Sequence, residues 1–410
     1  EGLNCGILLD MHSTPQNERE KAFSALVNLR ANKLNTMLYW EGSFKYEVRR
    51  LKDKAVSANS NTGQTELVTL GQMDHSTAKK VVFPSCVFLN TYYSGFIQTL
   101  YRQHPHLAQA AYAEQHQTLQ QALFGDSDFY SRGMATAGWN TYDLIVNVEL
   151  LQQAWGAENG FTGNGHAIAL AQLDKIRSDV LYIQDMHLVS AEFLVAVRPL
   201  VKLIVGQIAS PFGPHIPITL YDIVITSFPH YVERFRQMGV TTYYQPLAFE
   251  PRVLNSVRSL PFAARPIDCS FVGGISALHT TGTRLLEVLV TTTPLRIWGY
   301  GAESLPAGSV LRQRHQGEVW GSEMFAVLAS SRITVNRHVD VAENYANNMR
   351  LFEATGCGAL LITDYKDNLH ELFEIGTEVV VYRSVEECAE LVNYYLVHPA
   401  EAEAIAKAGQ

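Results

Sequence analysis

Short apolar runs rich in β-branched residues recur along this sequence, and helix-like segments separate most of them. Alternation of this kind predicts parallel strands joined by crossover helices in open α/β sheets. The runs form two sets, at 81–90, 142–147, 179–185, 201–207 and 222–227, and then at 267–274, 294–300, 333–337, 358–364 and 378–382. Since 410 residues suffice for two cores, we predict two doubly wound Rossmann-like domains facing each other across a cleft.

The remaining segments set the predicted boundaries. Residues 246–266 are rich in proline and lack a sustained period, so we interpret them as a linker between domains at 81–245 and 267–410. Residues 1–80 contain a helix start at Thr14-Pro15 and a polar stretch, which together predict a helical appendage and linker. We assign this appendage to packing or to binding a partner domain.

Composition excludes several classes of protein. Hydrophobic residues make up 47% and charged residues 18%, which is typical of a globular chain. No stretch approaches the ~20 apolar residues that cross a bilayer, and the start has no basic region of a secretory signal. A net charge of −8 argues against binding nucleic acid. The five scattered cysteines form no disulfide or zinc pattern, so we expect a cytoplasmic location.

Motifs for other nucleotide chemistries are absent from the sequence. The segment Gly299-Tyr300-Gly301-Ala302-Glu303-Ser304 lacks the third glycine of a dinucleotide-binding turn, and no P-loop pattern occurs. No DxD lies between a strand and a loop, where it would hold a divalent cation against a diphosphate. We therefore expect neither a cofactor nor a metal.

Residues 347–359 are the most informative segment. The pattern predicts a helix that starts near Asn348 and ends at glycines, directly before a buried strand. Arg350 and Glu353 share one face near the helix start, where the helix dipole and free amides favour an anion. Arg350 is a candidate to bind a pyrophosphate through a bidentate contact. Glu353 is a candidate to accept hydrogen bonds from both hydroxyls of a ribose. The alternative is a surface ion pair followed by a glycine helix stop.

The first domain has its own candidates after the apolar run VLYI (180–183). Asp185 and His187 stand where the end of a strand meets the cleft, and Asp185 is a candidate general base. The alternatives are a helix cap for Asp185 and an ordinary interfacial residue for His187. Arg337 and His338 follow the run at 333–336 in the same way, with a solvated loop pair as the alternative.

The segment NMRLFEATGCGALLITDYKDNLHELFEIGTEVVVY (348–382) resembles the C-terminal signature of the CgeB-like glycosyltransferases, relatives of a large retaining group with the GT-B fold. EVWGSEMFAVLASSRITVN (318–336) and FVGGIS (271–276) match the same pattern. VLYIQD and VGQIASP match it more loosely. The resemblance covers roughly residues 81–410 and implies a GT-B enzyme, and it leaves the N-terminal helical appendage at 1–80 outside the matched region.

The resemblance implies roles for particular residues. Glu353 would bind the ribose, and Asn348 and Arg350 would face the diphosphate or the sugar. Backbone at Gly273, Gly274 and Ser276 would approach the phosphates, whereas Gly299, Tyr300 and Val319 would line the pocket of the base. His187 would contact the transferred sugar if the anomeric configuration is retained. The sequence departs from the related families at Tyr345, where they often carry a second acid, and Glu343 is out of register.

The expected activity is transfer of a sugar from a nucleoside diphosphate sugar to a hydroxyl of a polysaccharide, a glycan or a protein. We expect no metal, and retention is favoured. An epimerase or hydrolase of the same shape, or a non-catalytic module that binds nucleotide sugars, are the alternatives.

Overall fold

A computed structural model describes residues 84–275 and 280–410. The appendage predicted at 1–80, the helix predicted after Thr14-Pro15 and the candidate Ser276 lie outside the described residues. No helix in the described ranges is long and apolar enough to span a membrane.

The first domain is built on a sheet of six parallel strands. They are β1 (Ser85–Asn90), β2 (Asn140–Ile145), β3 (Val180–Ile183), β4 (Leu203–Gln207), β5 (Ile223–Thr226) and β6 (Thr241–Tyr244). The order across the sheet is β2-β1-β3-β4-β5-β6. The helices are α1 (Ser94–Gln103), α2 (Tyr112–Gln121), α3 (Phe129–Thr136), α4 (Glu149–Glu158), α5 (Gly165–Ile176), α6 (Ala191–Val197) and α7 (Pro229–Gln237).

The second domain contains five parallel strands. They are β7 (Ile267–Val272), β8 (Leu295–Trp298), β9 (Ser331–Asn336), β10 (Leu360–Asp364) and β11 (Val380–Tyr382). Their order is β11-β10-β9-β7-β8. The helices are α8 (Thr280–Thr292), α9 (Val310–Arg314), α10 (Gly321–Ala329), α11 (Met349–Gly356), α12 (Val385–Val397) and α13 (Pro399–Gly409).

Both sheets have the strand order that creates a binding crevice. In the first sheet, β2 lies on one side of β1 and β3 to β6 follow on the other side, so the strand order reverses between β1 and β3. In the second sheet, β8 lies on one side of β7 and β9 to β11 follow on the other, so the order reverses between β7 and β9. Loops that leave the carboxyl ends of such a strand pair diverge to opposite faces of the sheet and leave room for a ligand. The prediction of two doubly wound α/β domains is confirmed.

The helix predicted at Asn348 is present. The Asn348 side chain accepts a hydrogen bond from the backbone N–H of Leu351 at 3.2 Å, which caps the first turn of α11. Beyond its last turn, Gly358 has a φ of +71°, a conformation that ends the helix and leads into β10. Local sequence signals therefore fix both ends of α11.

Two differences from the sequence prediction have local causes. The helical pattern at 96–124 is divided between α1 and α2 because Pro105, which has no N–H to donate, opens a 3₁₀ helix at Pro105–Gln109. Strand β6 was not predicted, since its sequence TTYY is short and only Thr242 is buried. Pairing with β5 forms β6 at the outer side of the sheet.

The chain between β6 and β7 crosses between the domains in irregular structure and 3₁₀ turns. Arg252 forms an ion pair with Asp128 of the first domain at 2.9 Å, while Val253 is buried in the second domain's core. The linker is therefore fixed to both domains.

Candidate functional site

The first turn of α11 lies against the carboxyl ends of β7 and β9, the two strands between which the order of the second sheet reverses. The Asn348 Nδ2 donates to Asn336 Oδ1 at 2.9 Å and to the carbonyl oxygen of Arg337 at 3.1 Å, both at the end of β9. Arg350 Nε donates to the carbonyl oxygen of Val272 at 3.0 Å, at the end of β7. The start of α11 is thus positioned over the crevice between the two strands.

Arg350 and Glu353 lie on one helix face, as their spacing predicts, and form an ion pair of 2.7 Å between Nη1 and Oε2. The pair is not a surface pair, because only 15% and 10% of the two side chains are exposed. Burial raises the pKa of Glu353, and the charge of Arg350 opposes that rise in part. Glu353 is therefore a desolvated carboxyl group next to a cation.

The glycines after β7 and β8 allow these two chain segments to approach each other closely. The N–H of Gly273 donates to the carbonyl oxygen of Trp298 at 3.0 Å. A Cβ on Gly299, whose φ is +131°, would lie 2.1 Å from the carbonyl oxygen of Gly273. A Cβ on Gly274 would lie 2.6 Å from the ring of Tyr300. Packing of the protein itself therefore accounts for Gly274 and Gly299.

Aromatic side chains from both domains meet beside these turns. Tyr300 stacks on Trp320 with ring centroids 5.8 Å apart and an angle of 8° between the planes. Tyr93 of the first domain lies edge-on to both rings, at 6.0 and 6.1 Å. Val319 packs against the second domain's core next to this cluster. From the sequence alone, neither Tyr93 nor Trp320 received a role, although Trp320 lies within the quoted segment 318–336 and Tyr93 follows the apolar run at 81–90.

Arg337 lies over the first turn of α8. A Cβ on Gly282 would be 1.9 Å from the guanidinium carbon of Arg337, so the absence of a side chain at Gly282 makes room for this cation. The guanidinium group also lies 5.9 Å from the centre of the Phe271 ring. Arg337 is therefore at the carboxyl end of β9 and beside a helix start. Gly282 was missed, because a lone glycine within a helical pattern carries no signal of its tertiary neighbour.

His338 is not part of a solvated loop pair, since its side chain is completely buried. Its Nδ1 lies 2.7 Å from Asp364 Oδ1 at the end of β10. Burial would raise the pKa of Asp364, but hydrogen bonding and charge from His338, with the charge of Lys366, outweigh it and hold that pKa below its ordinary value. The alternative interpretation as a solvated pair is wrong for His338.

Asp185 and His187 lie at the reversal point of the first sheet. Asp185 Oδ2 accepts a hydrogen bond from Thr91 Oγ1 at 2.8 Å, which joins the loops after β1 and β3. Asp185 Oδ1 accepts from the N–H of His187 at 3.0 Å, so Asp185 also caps a short 3₁₀ helix. His187 is exposed and contacts His215 at 3.1 Å and Ser210 at 2.7 Å. Both candidates occupy the predicted end of the strand.

The loop between β9 and α11 contacts the first domain. Tyr345, where a second acid was expected, stacks on His230 with centroids 5.0 Å apart and 14° between the planes. Glu343 has a φ of +50° and its Oε1 lies 4.0 Å from His230 Nε2. Ala342 is fully buried in the first domain's core. Sequence spacing gives no indication of this contact, because His230 is more than 100 residues away in the chain.

Among residues 84–275 and 280–410, no group of three or more His, Cys, Asp or Glu side chains is arranged to bind a metal ion.

Comparisons with known proteins agree with this architecture. Residues 280–410 match the model of a family described as glycosyl transferase-like. No curated protein matches the sequence.

Solved structures with a similar fold include an alpha-glucosyltransferase in complex with UDP-glucose and DNA containing an abasic site. The two chains are 10% identical with a TM-score of 0.50, over 80% of this chain and 93% of that one. HepE from Anabaena in complex with UDP and glucose is 12% identical with a TM-score of 0.46, over 80% and 94%. A glycosyltransferase from Rickettsia africae is 10% identical with a TM-score of 0.48, over 80% and 92%. At such identities the likeness concerns the fold, which is GT-B.

Proposed function

We propose that this protein transfers a sugar from a nucleoside diphosphate sugar to a hydroxyl group of an acceptor. The main observation in favour is the start of α11, which Asn348 and Arg350 hold across the crevice between β7 and β9. The free amides of that turn, together with Glu353, suit a ribose joined to a diphosphate. The family match at 280–410 and the UDP complexes of proteins with a similar fold support the same activity.

Different side chains bind different parts of the nucleoside diphosphate sugar. Glu353 accepts hydrogen bonds from the two ribose hydroxyls, and the exposed face of Tyr300 stacks on the base. Val319 lies next to that base pocket. Asn348 acts by positioning, since both ends of its amide already bind the protein. Backbone at Gly273 and Gly274 is near enough to the crevice to approach the phosphates.

The leaving diphosphate gains negative charge as the glycosidic bond breaks. Arg337, beside the first turn of α8, and the amides of α11 supply fixed positive charge at that place. We therefore propose that the reaction does not depend on a metal ion, and that activity persists after treatment with EDTA.

On the acceptor side we favour retention of the anomeric configuration, with His187 in contact with the transferred sugar. Asp185 then positions the loops after β1 and β3 rather than accepting a proton, in line with its two hydrogen bonds. The acceptor is a hydroxyl of a surface polysaccharide or of a protein glycan.

We expect Asp185→Asn to lower kcat by less than about tenfold, because a positioning carboxylate is largely replaced by its amide, whereas loss of a general base costs about 10²–10⁴. NMR of the product should give the same anomer as the donor. Asp222→Asn is the matched control, because Asp222 pairs with Arg198 next to the amino end of β5, away from the carboxyl ends of the strands where Asp185 lies. A loss of about 10³ together with an inverted product would contradict retention.

The activity itself is tested by titrating the protein with UDP, GDP, CDP and dTDP and following thermal unfolding. A nucleotide present at about 100 times its Kd should stabilise the fold by about 2.7 kcal/mol. The matching nucleotide sugars are then incubated with hydroxyl acceptors. Release of nucleotide with a new glycosidic bond supports the proposal. Absence of binding by all four nucleotides, or formation of only an epimer or free sugar with every acceptor, refutes it.

A further inference from the structure

A row of three hydrogen-bonded side chains joins the loop after β3 to the loop after β4. His187 Nδ1 lies 3.1 Å from His215 Nε2, and His187 Nε2 lies 2.7 Å from Ser210 Oγ. The two imidazole rings also overlap, with centroids 5.4 Å apart and 30° between their planes. The loop after β4 therefore engages both ring nitrogens of His187, at the carboxyl end of the first sheet.

The loop after β4 is itself fixed around these contacts. Ile216 is buried in the first domain's core, and Phe212 packs against the same core. The Tyr231 hydroxyl donates to the carbonyl oxygen of Ser210 at 3.1 Å. The side chains of Ser210 and His215 therefore project from backbone that is held in place by its neighbours.

Gly213 makes room for the His215 ring. A Cβ on Gly213 would lie 2.9 Å from His215 Nδ1 and 3.0 Å from His215 Cε1, closer than ordinary van der Waals contact. The φ of Gly213 lies outside the left-handed region, so the backbone itself does not require a glycine there. The space that this glycine leaves is used by the imidazole.

The main effect of this arrangement is on the geometry of His187. Folding gains little from it, because both imidazoles are exposed and water can replace their hydrogen bonds. In a neutral pair of imidazoles one nitrogen donates and the other accepts, so the hydrogen bond with His215 sets which nitrogen of His187 holds the proton. The same contact restricts rotation of the His187 side chain.

We propose that His215 is a positioning residue for the donor sugar, because it holds His187 in the orientation and tautomer that bind the transferred sugar. This inference rests on the proposed function, which places His187 against that sugar. One hydroxyl of the sugar takes the place of Ser210 at His187 Nε2, while the hydrogen bond between His187 Nδ1 and His215 remains. A hydroxyl suits this exchange, since it donates or accepts as Nε2 requires.

The test is isothermal titration calorimetry with the nucleoside diphosphate that binds in the thermal titration and with its glucose conjugate. His187→Ala should weaken binding of the glucose conjugate by roughly 3- to 10-fold, the equivalent of one neutral hydrogen bond, and leave binding of the nucleotide unchanged. His215→Ala should have the same selective effect. The double variant should bind no more weakly than either single variant, because the two residues act as one unit.

Further variants separate this role from a purely structural one. His215→Gln keeps a hydrogen-bonding group near the position of Nε2 and should recover most of the affinity. Gly213→Ala crowds the His215 ring and should weaken binding of the glucose conjugate alone, whereas Gly308→Ala, where a Cβ meets open space, should not. His106→Ala removes a histidine whose side chain is 65% exposed and should behave as wild type.

Equal losses of affinity for the nucleotide and for its glucose conjugate would give His215 a structural role only and overturn the proposal. So would wild-type affinity in His215→Ala, or losses that add up in the double variant. In each of these cases the proposed function would stand, because wild-type protein still binds the nucleotide. Absence of binding by all four nucleotides would instead refute the proposed function, and this inference with it.

Discussion

Replacing Glu353 by alanine should weaken binding of the nucleoside diphosphate by roughly 100-fold. Hydrogen bonds to a charged group contribute about 1.5–3 kcal/mol each, and each 1.4 kcal/mol is a factor of ten in Kd. The expected loss corresponds to about 2.7 kcal/mol of binding free energy. This is somewhat less than two such hydrogen bonds would contribute, because Glu353 must give up part of its contact with Arg350 in order to bind the ribose. Isothermal titration calorimetry with the nucleotide identified above measures the change.

A matched pair of variants separates binding from folding. Removing Glu353 leaves Arg350 largely buried without its ion pair, which costs up to about 3–5 kcal/mol for a fully buried pair and less here. Glu353→Gln keeps the side-chain volume and a hydrogen-bonding oxygen, so it should fold well and bind with intermediate affinity. Glu287→Ala, on the exposed face of α8, should match wild type. Wild-type affinity in folded Glu353→Ala would remove the ribose assignment.

The raised pKa of Glu353 gives the same prediction a pH dependence. The ionised carboxylate is the better acceptor for ribose hydroxyls, so nucleotide affinity should increase as the pH rises through that raised pKa. The contribution of Glu353 to folding stability changes with pH in the opposite direction. The folded state holds this proton more tightly than the unfolded chain, so the contribution of Glu353 to stability falls as the pH rises above about 4.3 towards its folded pKa. Glu353→Gln should remove both effects. A pH-independent difference between wild type and Glu353→Gln would contradict the assignment.

Replacing Arg337 by alanine should lower kcat by about 10²–10³, the range found when one preorganised donor to a developing charge is lost. Nucleotide affinity should fall less, because the charge on the diphosphate increases only as the bond breaks. Steady-state kinetics with the donor at saturation measure the effect. Arg332→Ala is the control, since Arg332 pairs with Asp268 at the opposite end of β9.

Gly282→Ala tests the position of Arg337 without removing its charge. The new methyl group would overlap the guanidinium group, and a long side chain can move away at little cost to folding. Activity should therefore fall while the unfolding temperature changes little. Gly308→Ala, where a Cβ meets no atom within 4 Å, is the matched glycine control. Full activity in both Arg337→Ala and Gly282→Ala would exclude Arg337 from the reaction.

The features that the sequence predicted correctly all depend on residues that are close to one another in the sequence. Asn348 and Gly358 fix α11 through its own first and last turns, and the runs at 179–185 and 358–364 contain buried strands. The candidates Asp185 and His187 were placed at a strand end because a parallel sheet puts all such ends on one side.

The features that the sequence did not indicate depend on distant segments. Gly282 makes room for Arg337 across 55 positions of sequence, and Tyr93 reaches Trp320 from the other domain. The ring of Tyr345 replaces an expected acid and instead stacks on His230. Such pairs leave no periodicity or spacing in one sequence, because the fold alone brings them together.

The attachment of the loop before Asn348 to the first domain has a mechanical consequence. One end of this loop leads into the helix proposed to bind the nucleotide, while Ala342 and Tyr345 anchor its middle in the other half of the molecule. Only two residues separate Tyr345 from Asn348. A hinge movement that separates the two halves must therefore either break the stacking on His230 or pull on the first turn of α11, so the width of the cleft and the geometry of the donor site cannot vary independently.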